Sequence, residues 1–181
     1  MDAEKIVNKI TKEHGTIKNV YFLACGGSLV DLYPGYYFLR AESAVMDAQW
    51  IPAREFALTP PKKLGKDSLL IICSHSGKTR ECLEAARTGL DAGAAVVTLT
   101  HALGSACDTT EWISIVYDWA PGVKEAEKPQ GIVLNLLNEL MKVQEPGYEL
   151  YDKITEGFHK IDAIIAEAVK DQQNAAWLFA E

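Results

Sequence analysis

The chain has 181 residues, of which 48% are hydrophobic, and its formal net charge is −7. That length suits one α/β domain with something added, and the apolar fraction supplies a core that a disordered segment lacks. An acidic chain with no basic run longer than Lys62-Lys63 has no positive stripe for a phosphate backbone, so no nucleic acid is expected as a partner.

Residues 3–14 place Ile6 and Ile10 among Lys and Glu at helical spacing. The run NVYFLACGG reads as a buried strand closed by a tight turn. From Ser28 to Arg40, Leu29, Leu32, Tyr36 and Leu39 recur at three- to four-residue steps. Pro34 and Gly35 fall inside that run, so the helix is either kinked or begins late. SAVMDA (43–48) is a second strand candidate, and PAREFAL (52–58) a short helix with Pro52 at its start. DSLLIIC (67–73) is apolar on both faces, as a central parallel strand should be. A helix over Thr79–Ala92 follows, with Cys82, Ala86 and Leu90 inward and Gly93 at its C-cap. AAVVTLT (94–100) and WISIVY (112–117) are the next strands. After a polar loop, a helix is predicted from Ile132 to Lys142. A turn at Pro146-Gly147 leads into a long helix striped by Tyr151, Ile154, Phe158, Ile161, Ile165 and Val169. The final AAWLFAE stays apolar and helical in pattern without a cap, and no strand follows it. The expected organisation is a domain over 1–145 and a helical segment over 146–181 that leads toward a further domain.

Strands and helices alternate, which predicts an α/β fold: three layers, with a five-stranded parallel sheet in the flavodoxin-like order 2-1-3-4-5. No stretch is apolar over the ~18–20 residues that cross a bilayer, and the start lacks a signal-peptide pattern. The expected compartment is therefore the cytoplasm, with no membrane partner. Cys25, Cys73, Cys82 and Cys107 show no CxxC spacing and no His companions at metal-ligand intervals. They are expected to be free thiols, with no metal and no cofactor. Cys25 and Cys73 are expected side by side, as small core groups.

In a doubly wound sheet, ligands bind outside the carboxyl ends of the strands where the order reverses. Two polar turns fall there: Cys25-Gly26-Gly27-Ser28, and Ser74-His75-Ser76-Gly77-Lys78-Thr79. Their glycines let backbone N–H groups approach an anion, and a helix start adds free N–H groups. The hydroxyls of Ser28, Ser74, Ser76 and Thr79 suit a terminal phosphate monoester. Neither GxGxxG nor the P-loop pattern is present. Taken singly, each turn also reads as an ordinary Ser/Gly connection whose hydroxyl caps a helix.

ACGGS followed by SHSGKT resembles the sugar isomerase (SIS) domain family, with its A-C-G-T-S and S-x-S-G-x-T segments, and PAREF resembles that family's short x-E-F helix. Within the family, YFLACGGSLVDLYPGYYFL, SHSGKT and GLDAGAAVVTLTH are most similar to fructosamine-6-phosphate deglycases. Those enzymes split a phosphosugar–amine adduct into glucose 6-phosphate and the amine. The resemblance implies phosphate contacts from Ser28, Ser74, Ser76 and Thr79, with Gly26 and Gly27 in the binding turn and His75 close to the sugar. It also implies a tandem pair of such domains, this one being the first, with the catalytic Glu and His of a G-E-F-x-H-G-P stretch on the second. REFALTPP, the counterpart here, keeps Glu55 but has Leu58 and Thr59 where a histidine is wanted. EAEKPQG stands where isomerase members show V-x-S-T, which disfavours an amidotransferase-type synthase.

His75 is a candidate to polarise a sugar oxygen or protonate the ring oxygen, or else a polar loop residue. Glu55 is a candidate base at C1 or C2, although a Glu in such a helix more often bonds backbone amides. Lys78 reads as a solvated first-turn lysine, and Tyr33, Tyr36, Tyr37 and Phe38 as helix packing. The leading expectation is the N-terminal half of a deglycase or sugar-phosphate isomerase, inactive alone, acting on a phosphorylated sugar or sugar–amine adduct within a homodimer or larger homo-oligomer. The alternatives are a non-catalytic phosphosugar sensor, and an unrelated fold with a chance polar turn.

Overall fold

The computed structural model describes the backbone of residues 2–180 and the side chains of residues 2–172. Five strands, β1 (Asn19–Ala24), β2 (Asp47–Pro52), β3 (Ser68–Cys73), β4 (Ala95–Thr100) and β5 (Ile113–Val116), form one sheet in the order β2-β1-β3-β4-β5. Every pairing is parallel. Each residue of β1, β3 and β4 is buried, the signature of strands covered on both faces. The outer strands β2 and β5 are only partly covered.

Six helices cover the sheet, α1 (Ala3–His14), α2 (Gly27–Asp31), α3 (Tyr33–Glu42), α4 (Ala53–Leu58), α5 (Arg80–Asp91) and α6 (Pro129–Gln144), while α7 (Tyr151–Ala180) packs on α6 and on a 3₁₀ turn at Glu125–Glu127. One face packs Val20, Phe22, Leu69, Ile71 and Val97 against α1, α2, α3 and α6. The other packs Tyr21, Leu23, Leu70, Ile72 and Val96 against α4 and α5. The alternation within each strand therefore divides one apolar run between two cores. At roughly 25 cal/mol per Å² of apolar area buried, these two layers hold the fold.

One expectation needs correction, and one open alternative is resolved. The second strand is residues 47–52, not 43–48: Val45 packs beside the core and Met46 in it, while the pairing falls on DAQWIP. An outer strand lacks the apolar run that marks its central neighbours. The predicted 28–40 helix is two helices broken at Leu32. Pro34 sits in the first turn of α3, where its missing N–H costs nothing, and a continuous helix would set its ring against the carbonyl of Val30. Trp50 of β2 pins the break by donating its Nε1–H to the Leu29 carbonyl at 2.7 Å.

In α5, Cys82 and Ala86 are buried as expected, but Gly89 takes the closest approach to the sheet and Leu90 is half-buried. A Cβ at Gly89 would stand 2.3 Å from Leu70 Cδ2. Beyond Gly93, whose N–H bonds the Leu90 carbonyl at 2.8 Å, the chain turns into β4. Helix α6 starts three residues before its predicted start, at Pro129. The base of α7 is held by Asn138, a buried side chain of α6 that donates to Tyr151 O and Thr155 Oγ1 and accepts from Tyr148 Oη at 2.6 Å. Past Asp162, whose carboxylate accepts from Glu125 N, the stripe residues Ile165 and Val169 are exposed. The side chains of the AAWLFAE stretch lie outside the described residues.

Gly131, in the first turn of α6, fixes the loop that follows β5. A Cβ there would lie 2.3 Å from the Glu125 carbonyl oxygen and 2.5 Å from Ala126 Cα. Those are backbone atoms, which cannot swing aside as a side chain can. Gly131→Ala is expected to lower stability by about 1–3 kcal/mol, the usual cost of overpacking. Urea unfolding of the two proteins measures it.

Candidate functional site

The polar turns leave neighbouring strands at the same level, because Ala24 of β1 and Cys73 of β3 are register partners. The hydroxyl of Ser28 approaches the Cys73 thiol, so the first turn closes over the root of the second. Gly26, with φ +59°, is the N-cap of α2, and Gly27 is its first residue.

The second turn is tied down along its backbone. Ser74 N donates to Leu99 O at 3.0 Å, and Gly77 N to Ser74 O at 2.9 Å. His75 O accepts from His101 N at 3.1 Å and from Thr100 Oγ1 at 3.3 Å, and Gly77 O accepts from Cys107 N at 3.0 Å. Gly77 has φ +63°, and a Cβ on it would lie 1.9 Å from Ser105 Oγ and 2.7 Å from Thr100 Oγ1. Only glycine fits here, on conformational and on steric grounds.

The remaining donors gather at the start of α5. Ser74 Oγ donates to Thr79 Oγ1 at 2.9 Å, so Thr79 does not spend its hydroxyl on capping α5. The N–H groups of Arg80 and Glu81 have no acceptor among the described residues. Ser76 is exposed, and its Oγ accepts from Lys78 N at 3.3 Å. An uncapped helix start, four hydroxyls and a glycine turn thus converge, the arrangement that binds small anions.

The wall beside this cup is aromatic. His75 and His101 stack with ring centroids 5.0 Å apart and planes 10° apart. Tyr117, just past β5, bonds His75 Nδ1 through its hydroxyl at 2.9 Å and accepts from His101 Nδ1 through its carbonyl at 3.1 Å. That carbonyl fixes the His101 proton on Nδ1. Trp119 meets the His75 ring edge-on at 5.6 Å. Burial pushes the Tyr117 hydroxyl up, with the Cys73 thiol and the Asp31 carboxylate adding to it, so the phenol stays protonated. Burial likewise raises Cys73 to about 12.

No family model matches the chain. Over 166 residues, 92% of the chain, it is 30% identical to fructosamine deglycase FrlB of Bacillus subtilis (strain 168), covering 50% of that protein. A solved structure of a candidate phosphosugar isomerase from Salmonella typhimurium LT2 superposes with a TM-score of 0.90 at 32% identity, over 99% of this chain and 54% of that one. The chain has the fold of the sugar isomerase (SIS) domain and is a relative of these proteins. The fold alone is shared with the C-terminal domain of glucosamine-fructose-6-phosphate aminotransferase from Francisella tularensis, with a TM-score of 0.68 at 17% identity, over 96% of this chain and 55% of that one. The chain spans about half the length of the Bacillus deglycase and of the Salmonella protein.

Within this sugar isomerase domain, Gly26, Gly27, Ser28, Ser74, His75, Ser76 and Thr79 come together at the paired strand ends. Glu55 does not join a catalytic pair: it is exposed on α4, and no hydrogen bond or ion pair engages its carboxylate among the described residues. Lys78 is exposed and unpaired among the described residues. Cys25 and Cys73 are not side by side. They point to opposite faces of the sheet, Cys25 beside Cys82 and Cys73 beside Ser28 and Tyr117, because successive strand positions alternate. All four cysteines are free, and among the described residues no group of three or more His, Cys, Asp or Glu could hold a metal ion. No described helix is long and apolar enough to cross a membrane. Sequence reasoning missed Asp31, His101, Tyr117, Trp119 and Gln130. The available signal was position: His101 and Tyr117 directly follow parallel strands, as Ser74 does.

Gly77→Ala is expected to cost about 2–4 kcal/mol, summing left-handed strain and overpacking; thermal unfolding reads it directly. The thiol and phenol of the wall give a second expectation. Their folded pKa values lie above the ordinary 9.0 and 10.0. Above about pH 9 the unfolded chain therefore loses protons that the native chain keeps, and stability falls as pH rises toward 12. Stability measured in urea between pH 8 and 11 should decline, and Cys73→Ala should flatten part of the slope.

Proposed function

We propose that the chain is the phosphosugar-binding, N-terminal half of a fructosamine 6-phosphate deglycase or sugar-phosphate isomerase. The observation that carries this reading is the uncapped start of α5 at a turn lined by Ser28, Ser74, Ser76 and Thr79. The hydroxyls and free N–H groups take the phosphate oxygens, and Gly77 shapes the turn that presents them. The sugar then lies against the exposed rings of His75 and Trp119, with Tyr117 buried behind them and holding His75 in place.

The chemistry begins with ring opening, in which His75 protonates the ring oxygen in this reading. Proton transfer between C2 and C1 passes through an enolamine. Hydrolysis of the resulting Schiff base releases the amine and leaves glucose 6-phosphate. The C1–C2 proton transfer needs an acid–base pair, which Glu55, without a partner among the described residues, does not supply. A second sugar isomerase domain, beyond a 1–145 core and a 146–181 linking helix, supplies that pair in this reading. The similarity to fructosamine deglycase and the coverage of half its length support it. The working form is a cytoplasmic homodimer or larger homo-oligomer with no cofactor or metal.

Titration with glucose 6-phosphate is expected to show binding that Ser76→Ala weakens roughly ten- to a hundredfold, as loss of one hydrogen bond to a charged group does. The 181-residue chain should bind a phosphorylated Amadori compound yet release no glucose 6-phosphate from it. Turnover is expected once the second domain is joined, because proton-transfer groups contribute ~10²–10⁴-fold each. Binding without turnover in the two-domain protein would make the protein a phosphosugar sensor. Turnover by the 181-residue chain that is lost in Glu55→Gln would return catalysis to this half.

A further inference from the structure

The wall beside the phosphate cup holds one carboxylate that the reading above leaves unused. Asp31 is the last residue of α2, one helical turn beyond Ser28, so their Cβ atoms lie about 5–6 Å apart on one face, the scale of a sugar ring. The Asp31 carboxylate is close enough to the His75 ring, the Cys73 thiol and the Tyr117 hydroxyl to act on each electrostatically. It therefore borders the space where a sugar attached to the bound phosphate must lie.

Its own partners do not balance it. Asp31 Oδ1 accepts from Gln130 Nε2 at 2.7 Å, across from the first turn of α6. The other end of that amide, Gln130 Oε1, is buried and has no donor. No Lys or Arg pairs with Asp31 among the described residues. No hydrogen bond joins it to His75, whose Nδ1 is engaged by Tyr117. Burial raises the Asp31 pKa, and the charge of the nearby His75 ring only partly offsets it. A protein that needed only a brace between α2 and α6 would be served as well by a neutral amide. A charged oxygen and an unmatched amide oxygen in one wall make that wall selective for positive charge.

We infer that Asp31, held in place by Gln130, is the counter-ion for a protonated amine on the bound phosphosugar, and so makes the domain prefer amine-bearing sugar phosphates to neutral ones. This rests on the phosphosugar reading above. Phosphate donors on one side and a carboxylate on the other match a ligand that is anionic at one end and cationic at the other. Asp31 is a specificity residue here, with no part in proton transfer.

The experiment is calorimetric titration of the 181-residue chain with fructose 6-phosphate, with an N-(6-phosphofructosyl) alkylamine, and with the N-acetyl form of that amine. The charged amine should bind roughly ten- to a hundredfold tighter than fructose 6-phosphate, the range of a hydrogen bond to a charged group. The uncharged N-acetyl form should show no such advantage. In Asp31→Asn, which keeps the acceptor for Gln130, the ratio of charged amine to fructose 6-phosphate should fall to about one. A ratio near one in the native chain, an N-acetyl form that binds as tightly as the amine, or a ratio preserved in Asp31→Asn each overturns the inference while leaving the phosphosugar reading intact. Binding of none of the three ligands overturns that reading, and the inference with it. Should Asp31→Asn fail to fold, the comparison of charged and acetylated amines on the native chain still decides.

Discussion

The pairing of β1 with β3 is the constraint on which the site depends. Chain order alone would put β2 next to β1 on one side and leave β3 free. Insertion of the third strand on the other side of β1 creates the point where the sheet changes direction. At that point two loops part to opposite sides and leave a crevice between them. Register sharpens the effect: because Ala24 faces Cys73, the two turns begin level with each other. A slip of one residue would reverse the faces of every side chain in β3 and expose half of two cores. The apolar packing on both faces of the sheet thus fixes the height at which the hydroxyls sit.

Much of this was legible in the residues, for physical reasons. Central parallel strands must be apolar on both sides, so SLLIIC and AVVTLT declare themselves. The two Ser/Gly turns were visible because an anion cup is built from consecutive residues. What stayed hidden was built from scattered ones. Asp31, Tyr117, Trp119 and Gln130 belong to three separate stretches of chain, each unremarkable alone, and sheet order makes them neighbours. The second strand was displaced for a related reason: an edge position needs few apolar residues, and the apolar Val45 and Met46 drew the assignment toward themselves. The break at Leu32 was half legible, since Pro34 announced an interruption while its resolution needed Trp50 from a strand not yet placed.

The two sides of the cleft are made differently. The side proposed to hold the phosphate is backbone-rich, its turn tied to β4 and to the following loop by hydrogen bonds that leave few conformations to lose on binding. The opposite side is made of side chains that hold one another: Gln130 holds Asp31, and Tyr117 bridges both histidines. An anion needs donors at fixed positions, which the main chain gives cheaply. Discrimination among sugars needs shape and charge, which side chains can vary without disturbing the turn.

The contact between Gly77 and Ser105 ties a second segment of chain to the first. Ser105 fills the space that a side chain at position 77 would occupy, and its own hydroxyl is buried without a partner. The two positions therefore form one heritable unit. A lineage that enlarges residue 105 must move the turn at 74–79, and one that abandons glycine at 77 must first shrink residue 105. Among related chains, change at either position should be found mainly where the other has changed as well.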